Sequence, residues 1–264
     1  EDPGYTGVLD LVSAMGLVAE GVPVDDSGPE VDGLRRALRA GAGAVIVTPR
    51  AQNPTGAALD PPRARALRRV LDEFPAVLLI EDDHAGPIAG APALTLARGH
   101  ERWAVVRSVS KSLGPDLRLA ILAGDATTVA RVEGRQRVGT GWVSHVLQEM
   151  VETLWSDRKA SARLAAAAAA YAERRRALLE ALARRGIAAR GRSGLNVWVP
   201  VPEEAAAVAR LAEAGWAVRA GERYRIKSPP AVRLTTSRLE AKDAERLADA
   251  LARAAVPSGR TSSA

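Results

Sequence analysis

The chain has 264 residues, 47% hydrophobic and 26% charged, a globular composition that excludes wholesale disorder. Basic residues outnumber acidic ones 37 to 31, for a formal charge of +6. No apolar run approaches the roughly 18 residues of a membrane helix, and with no cysteine there is no disulfide framework, thiolate metal site or cysteine nucleophile.

Lysine occurs only at Lys111, Lys159, Lys227 and Lys242, so 33 of the basic residues are arginine. The arginines are scattered among acids rather than bunched with aromatics. That pattern fits codon bias better than a nucleic-acid surface. No basic start precedes an apolar stretch, so no signal peptide is visible and a cytoplasmic protein is the simplest fit. Glu1-Asp2-Pro3-Gly4-Tyr5 reads as the continuation of a longer chain.

Val31, Leu34, Ala37 and Leu38 share one face of a helix over 31–40. Ala44–Val47 is a short apolar run that suits a strand buried on both faces. Asp60-Pro61 marks a helix start, and Ala64, Leu67, Val70, Leu71 and Phe74 line one side of the helix that follows. Strands are predicted at Ala76–Ile80, Trp103–Val106 and Leu117–Leu122. Alternating strand and helix imply an α/β layer on a parallel sheet.

The texture changes near residue 156. A long Ala- and Arg-rich helix runs from Lys159 to Arg185 and stops at Gly186. Strand candidates follow at Ala188–Arg190 and Leu195–Val201, then a helix at Glu203–Ala214. Short strands at Trp216–Arg219 and Val232–Thr235 precede a last amphipathic helix, Leu239–Ala254, with Leu247 and Leu251 inward. This is an α+β pattern, so domains are expected at 1–155 and 156–257, with a disordered tail at 258–264.

Ligands of open α/β sheets bind at the carboxyl ends of the strands. Three strands are followed there by Thr48-Pro49-Arg50-Ala51-Gln52-Asn53-Pro54-Thr55-Gly56, by Glu81-Asp82-Asp83-His84, and by Ser108-Val109-Ser110-Lys111 with Arg118 seven residues on. Val232-Arg233-Leu234-Thr235 comes late. Each has a plain structural account when taken alone: turn chemistry, a solvated acidic loop, a surface lysine, one arginine among many. Their joint order, with a rare lysine directly after a buried strand, points to chemistry at an amine. His100 and His145 read as structural or exposed, and no metal constellation is visible.

This series resembles the fold-type I pyridoxal 5′-phosphate (PLP) aminotransferases, from Glu1 to about Ala254. The Glu-Asp-Asp-His segment, Ser-Val-Ser-Lys-Ser-Leu-Gly-Pro-Asp-Leu-Arg, and Gly194-Leu195-Asn196-Val197-Trp198 look most like the aminotransferase-like domain of MocR-type regulators of the GntR superfamily. The resemblance implies an α/β, PLP-dependent transferase-like large domain, incomplete at its N-terminus, and a smaller α+β C-terminal domain.

It also implies site roles. Lys111 is the imine-forming amine, activated by a low-dielectric, cation-rich pocket. Asp82 pairs with the pyridine nitrogen, and Asn53 bonds the ring oxygen. Ser108, Ser110 and Arg118 hold the phosphate. Tyr5 stacks on the ring, and Arg233 pairs with the carboxylate of an amino-acid ligand.

Two departures stand out. His84 occupies the place of the family's usual tyrosine, where it can still contact the cofactor as a hydrogen-bond donor. The Gly/Ser-rich phosphate loop, the first strands and the winged helix of such regulators would all lie before Glu1, leaving part of the phosphate site and exposing sheet edge. The implied function is effector sensing by a PLP-binding domain. Its effector is PLP or an amino acid, it forms a homodimer, and it reaches DNA only through the missing N-terminal domain, with no membrane partner. The alternatives are a working aminotransferase and a cofactor-free fragment.

Overall fold

The computed structural model describes residues 1–254. α1 (Thr6–Ala14) opens the chain, followed by a two-stranded ribbon of β1 (Val24–Asp25) and β2 (Gly28–Pro29). α2 (Val31–Arg39) buries Gly33, Leu34, Ala37 and Leu38, the face that the apolar spacing predicts. It leads into β3 (Ala44–Val47), as expected. Only Val47 is fully buried there and Ala44 is exposed, so the two-faced burial expected of this strand does not hold: β3 is an edge strand.

α3 (Pro61–Asp72) starts where Asp60-Pro61 predicts. The Asp60 carboxylate accepts the Arg63 amide at 2.8 Å, and the Ser27 hydroxyl and Arg192 guanidinium donate to it at 2.7 and 3.2 Å. These bonds, the Arg63 amide first, hold its carboxyl below the usual range. Asp60→Ala should cost about 1–2 kcal/mol, the scale of a lost N-cap, read as a lower urea midpoint with unchanged m-value. An unmoved midpoint would show the cap to be idle.

β4 (Leu78–Asp83) starts two residues later than expected and runs through the acidic residues. β5 (Trp103–Ser108) and β6 (Ala120–Gly124) complete a sheet of order β3-β4-β5-β6. β3, β4 and β5 are parallel, with Val47 opposite Glu81 and Asp82 opposite Val106. β6 corrects the all-parallel expectation: it runs antiparallel to β5, Ser108 opposite Ala120. The short helix-free connection 109–119 cannot carry the chain back for a parallel crossover. Trp103, Val105, Ile121, Ala123 and Trp155 line an open groove of about 790 Å³ on this side of the sheet.

α4 (Ala126–Val138) and α5 (His145–Ser156) were not foreshadowed by apolar spacing, because α4 buries no residue and α5 only Val151. α6 (Arg158–Ala183) is the predicted long helix. Its end is marked by Gly186 at φ +69°, the left-handed conformation glycine adopts freely.

Beyond it lies a second sheet. β7 (Asn196–Pro200) is followed by α7 (Glu204–Glu213), β8 (Arg219–Ala220), β9 (Ala231–Thr235) and α8 (Ala241–Ala254). The order is β7-β9-β8, all antiparallel. The expected strand at Ala188–Arg190 is reduced to one bridge, Arg190 to Trp198.

One apolar core joins α2, α3, β3 and β4 through Leu34, Val47, Leu67, Leu71 and Leu79. A separate one joins α6, β7, β9 and α8 through Leu178, Leu182, Val197, Val232 and Leu251. The tail expected at 258–264 lies outside the described residues. No helix of the described residues is long and apolar enough to cross a membrane.

Candidate functional site

The loop after β3 is built around Gln52, which is fully buried. Its amide donates to the Pro3 carbonyl at 2.8 Å, and its oxygen accepts from the Thr55 amide and hydroxyl at 2.9 and 2.6 Å. Ser193 ties the loop to the C-terminal half: its hydroxyl accepts the Ala51 amide at 2.7 Å and donates to Gly56 O at 3.0 Å. Gly56 has φ +71°, and a Cβ there would stand 2.8 Å from Ser193 O and 2.9 Å from Asn196 O. Gly56→Ala therefore meets both a left-handed penalty and a backbone clash. It should cost more than about 2 kcal/mol in urea unfolding; a near-neutral result would mean the two halves part easily.

This loop holds Asn53 half-buried between the two sheets. Its Oδ1 accepts from Arg233 Nη1 at 3.1 Å and from Asn196 Nδ2 at 3.4 Å. Arg233 also lies over the Tyr224 ring, 5.1 Å from its centroid. The Arg233 Nε is buried and has no hydrogen-bond partner among the described residues. Burial lowers the pKa of Arg233, the Tyr224 and Tyr5 hydroxyls raise it, and Arg219 lowers it.

At the end of β4 the side chains alternate in environment. Glu81 is buried and accepts from the Leu96 amide, the Ala97 amide at 3.2 Å and the Thr95 hydroxyl at 3.1 Å. Asp83, 1% exposed, takes a two-point pair from Arg50 (2.8 Å at both contacts) and a third bond from Arg107 Nε at 2.8 Å. Between them, Asp82 is half-buried, and no donor among the described residues reaches its carboxylate. Burial raises the Asp82 carboxyl, with neighbouring His84 pulling the other way. Burial lowers the His84 imidazole, against Asp82 and together with the charge of Lys111. His84 is therefore biased to the neutral form near pH 7.

The third strand end gathers Ser108, Ser110, Lys111 and Arg118. Ser108 and Ser110 hydroxyls are 3.2 Å apart, and Arg118 Nη1 donates to Ser110 Oγ at 3.4 Å. Lys111 sits on the turn that the Ser112 and Leu113 amides close onto Val109 O. It is exposed rather than enclosed in the low-dielectric pocket expected for it. Neither Lys111 nor Arg118 forms an ion pair among the described residues.

The structure thus brings the sequence-predicted residues into three groups: Asn53 with Arg233, Asp82 with His84 and Lys111, and Ser108 with Ser110 and Arg118. Tyr5, half-exposed at the start of α1, belongs with the first group through its influence on Arg233. His100 is structural, bonded through Nε2 to Val77 O at 2.8 Å, and His145 is exposed. Tyr224 and Arg107 carried no local signal, whereas Arg50 and Asp83 lay inside singled-out motifs with no role given to them. Asn196 lay inside a motif already singled out, without a role.

The family model "Aminotransferase class I and II" matches residues 1–251. The chain belongs to this family. Among relatives of this aminotransferase-family chain is the "Vitamin B6 salvage pathway transcriptional repressor PtsJ" of Salmonella typhimurium, 41% identical over 251 residues. That match spans 94% of this chain and 58% of PtsJ. The "HTH-type transcriptional regulator TauR" of Rhodobacter capsulatus is 30% identical over 76% of this chain and 42% of its own. The chain therefore spans about half the length of these curated relatives. A crystal structure of LysN, an alpha-aminoadipate aminotransferase from Thermus thermophilus complexed with N-(5′-phosphopyridoxyl)-L-leucine, superposes with a TM-score of 0.83. It is 23% identical and covers 96% of this chain and 69% of its own. That likeness shows the aminotransferase fold.

Proposed function

We propose that this chain is the pyridoxal phosphate-binding, effector-sensing part of a MocR/GntR-type transcriptional regulator. The observation that carries the reading is the 41% identity to a regulator, PtsJ, along 94% of this chain. Within that regulator, residues 1–155 form the large domain and 156–257 the small one, a division supported by their separate apolar cores. A DNA-binding domain belongs to the longer protein, and the protein works as a cytoplasmic homodimer.

The donor set fits the cofactor. Arg118 and the Ser108 and Ser110 hydroxyls converge without a carboxylate partner and suit a phosphate. Asp82, half-buried with no donor on it, suits a protonated ring nitrogen, which would also lower its raised pKa. Asn53 and neutral His84 offer donors to a ring oxygen, Tyr5 offers an aromatic face, and Lys111 offers the amine. When bound, pyridoxal phosphate supplies an aldehyde that captures amines and a ring that withdraws electrons. Arg233, with its buried orphan Nε, is positioned for the carboxylate of an amino-acid effector. Such a ligand acts as a switch only through unequal affinity for two states of the regulator.

The test uses the full-length protein and its own upstream DNA. Pyridoxal phosphate, or an amino acid added to the loaded protein, should change DNA affinity. Unchanged DNA affinity, together with conversion of an amino acid to its oxo acid, would instead establish a working aminotransferase. That second reading is favoured by the presence of Lys111, Asp82 and Arg233 together.

A further inference from the structure

The register of the small sheet puts Asn196 at the ligand site. Asn196 lies directly opposite Thr235 across β7 and β9, and Trp198 lies opposite Arg233. Directly opposed residues on antiparallel strands share a face, as do alternate residues of one strand. Val197, Val232 and Leu234 are buried in the core on the other face. Asn196, Thr235 and Arg233 therefore stand together on the side that meets Asn53.

These residues form a chain of hydrogen bonds with a defined direction. An arginine donates and cannot accept. The Asn53 carboxamide must therefore turn its oxygen to Arg233 Nη1, at 3.1 Å. Asn196 Nδ2 donates to the same oxygen at 3.4 Å, and the Thr235 hydroxyl donates to Asn196 Oδ1 at 3.2 Å. Both lone pairs of the Asn53 oxygen are thus engaged. Its nitrogen has no acceptor among the described residues and is not sealed from solvent. A carboxamide held in this way offers a bound molecule N–H donors and nothing else. A reversed Asn196 would set its own oxygen against that of Asn53, two acceptors with no proton between them.

We infer that Asn196 and Thr235 are positioning residues for the cofactor: together they hold the Asn53 carboxamide with its N–H donors turned to the ring oxygen of pyridoxal phosphate. The inference rests on the reading of Asn53 as a residue that meets that oxygen. Asn196 acts through Asn53, and Thr235 acts through Asn196 by keeping its carboxamide from turning round. Without Asn196, Arg233 alone would set the direction of Asn53, and an effector's carboxylate competes for that same guanidinium.

The experiment is a pH titration of the absorbance of the full-length protein loaded with pyridoxal phosphate. A donor on the ring oxygen stabilises its negative charge and so lowers the proton affinity of the bound cofactor. N53A, which removes the donor itself, should raise the midpoint most. N196L, similar in size but without a donor, should raise it by about half a pH unit to one pH unit, the scale of one hydrogen bond. T235V should move it the same way by less, and T235S, which keeps the hydroxyl, should match wild type. Asp82, His84, Lys111, Arg118 and Arg233 are the same in every variant, so the differences report the carboxamide. Thr235 is exposed on β9, where valine is a good strand former, so T235V supplies the result if N196L is unfolded. A merely structural role would lower the urea midpoint of N196L and leave the absorbance midpoint unmoved. Unmoved absorbance midpoints in N196L and T235V, beside a raised one in N53A, overturn the inference and leave Asn53 in place. A T235S shift as large as that of T235V overturns the part given to the Thr235 hydroxyl. If N53A is also unmoved, or no cofactor binds, the underlying reading of Asn53 fails and the inference falls with it.

Discussion

Lys111→Ala should abolish borohydride-stable pyridoxyl labelling of the chain after incubation with pyridoxal phosphate, with wild-type label confined to the peptide that contains Lys111. The other three lysines are poor competitors. Lys227 holds Glu20 at 3.1 Å, and Lys242 holds Glu240 at 2.9 Å, a bond that keeps its ammonium above the usual range. Lys159 lies exposed on the first turn of α6, away from the strand ends. Lys111 alone stands on a strand-end turn with hydroxyls and Arg118 beside it, and it is felt by His84. An amine attacks a carbonyl through its nitrogen lone pair, and Lys111 is the only lysine placed at a strand end to do so. Lys111→Arg separates attraction from reaction: it should retain anion binding and lose the label. Label spread evenly over Lys159, Lys227 and Lys242 would sink the assignment of Lys111.

Asp83→Ala should be the most destabilising single change near the site, by about 3–5 kcal/mol, because it strands a buried charge. The Asp83 side chain is 2% exposed and Arg50's is 11%, whereas Arg107's is 49%. Arg107 can turn to water; Arg50 cannot. The acid dependence follows from the same geometry. Burial pushes the Asp83 carboxyl up, but the bonds and charges of Arg50 and Arg107 together hold it below its ordinary 3.8. Its contribution is therefore complete above about pH 4 and is lost as pH falls through the lower folded-state value. Wild type should lose stability more steeply than Asp83→Asn below pH 4 in urea unfolding, since the amide has no charge to lose. A double change, Arg50→Met with Asp83→Leu, should recover much of the loss. If Asp83→Ala proves neutral, the cluster is not holding the β3 and β4 ends together.

The helices around β3 and β4 were legible because their apolar residues return every three or four positions and meet one core. β4 was legible only as far as Ile80. Glu81 and Asp83 look like the end of a strand, yet both are buried, and the partners that make this possible are Leu96, Ala97, Arg50 and Arg107. Local hydropathy does not contain those partners. α4 escaped notice for the opposite reason: with no buried face, it leaves no period to read. β6 was misplaced and its direction missed, since its exposed Ala120 and Ile121 carry no alternation that fixes register. The site divides in the same way. Asn53, Asp82, Lys111 and Arg233 stand in linear motifs, whereas Tyr224 matters only through ring contact.

The Asn53–Arg233 bond has a consequence for how the chain folds. It joins residues 180 apart, and it is one of several such closures. The Asp2 carboxylate accepts the Ile226, Lys227 and Ser228 amides, up to 226 residues away, and the Ala51 amide reaches Ser193 across 142. Contacts of such span carry a large loop-closure entropy and form after the local helices and adjacent strands that shorten the loops. The two sides of the ligand site therefore come into register only when the two cores have docked. Binding at Asn53 and Arg233 reports the finished tertiary structure, while circular dichroism reports its secondary structure earlier on the path.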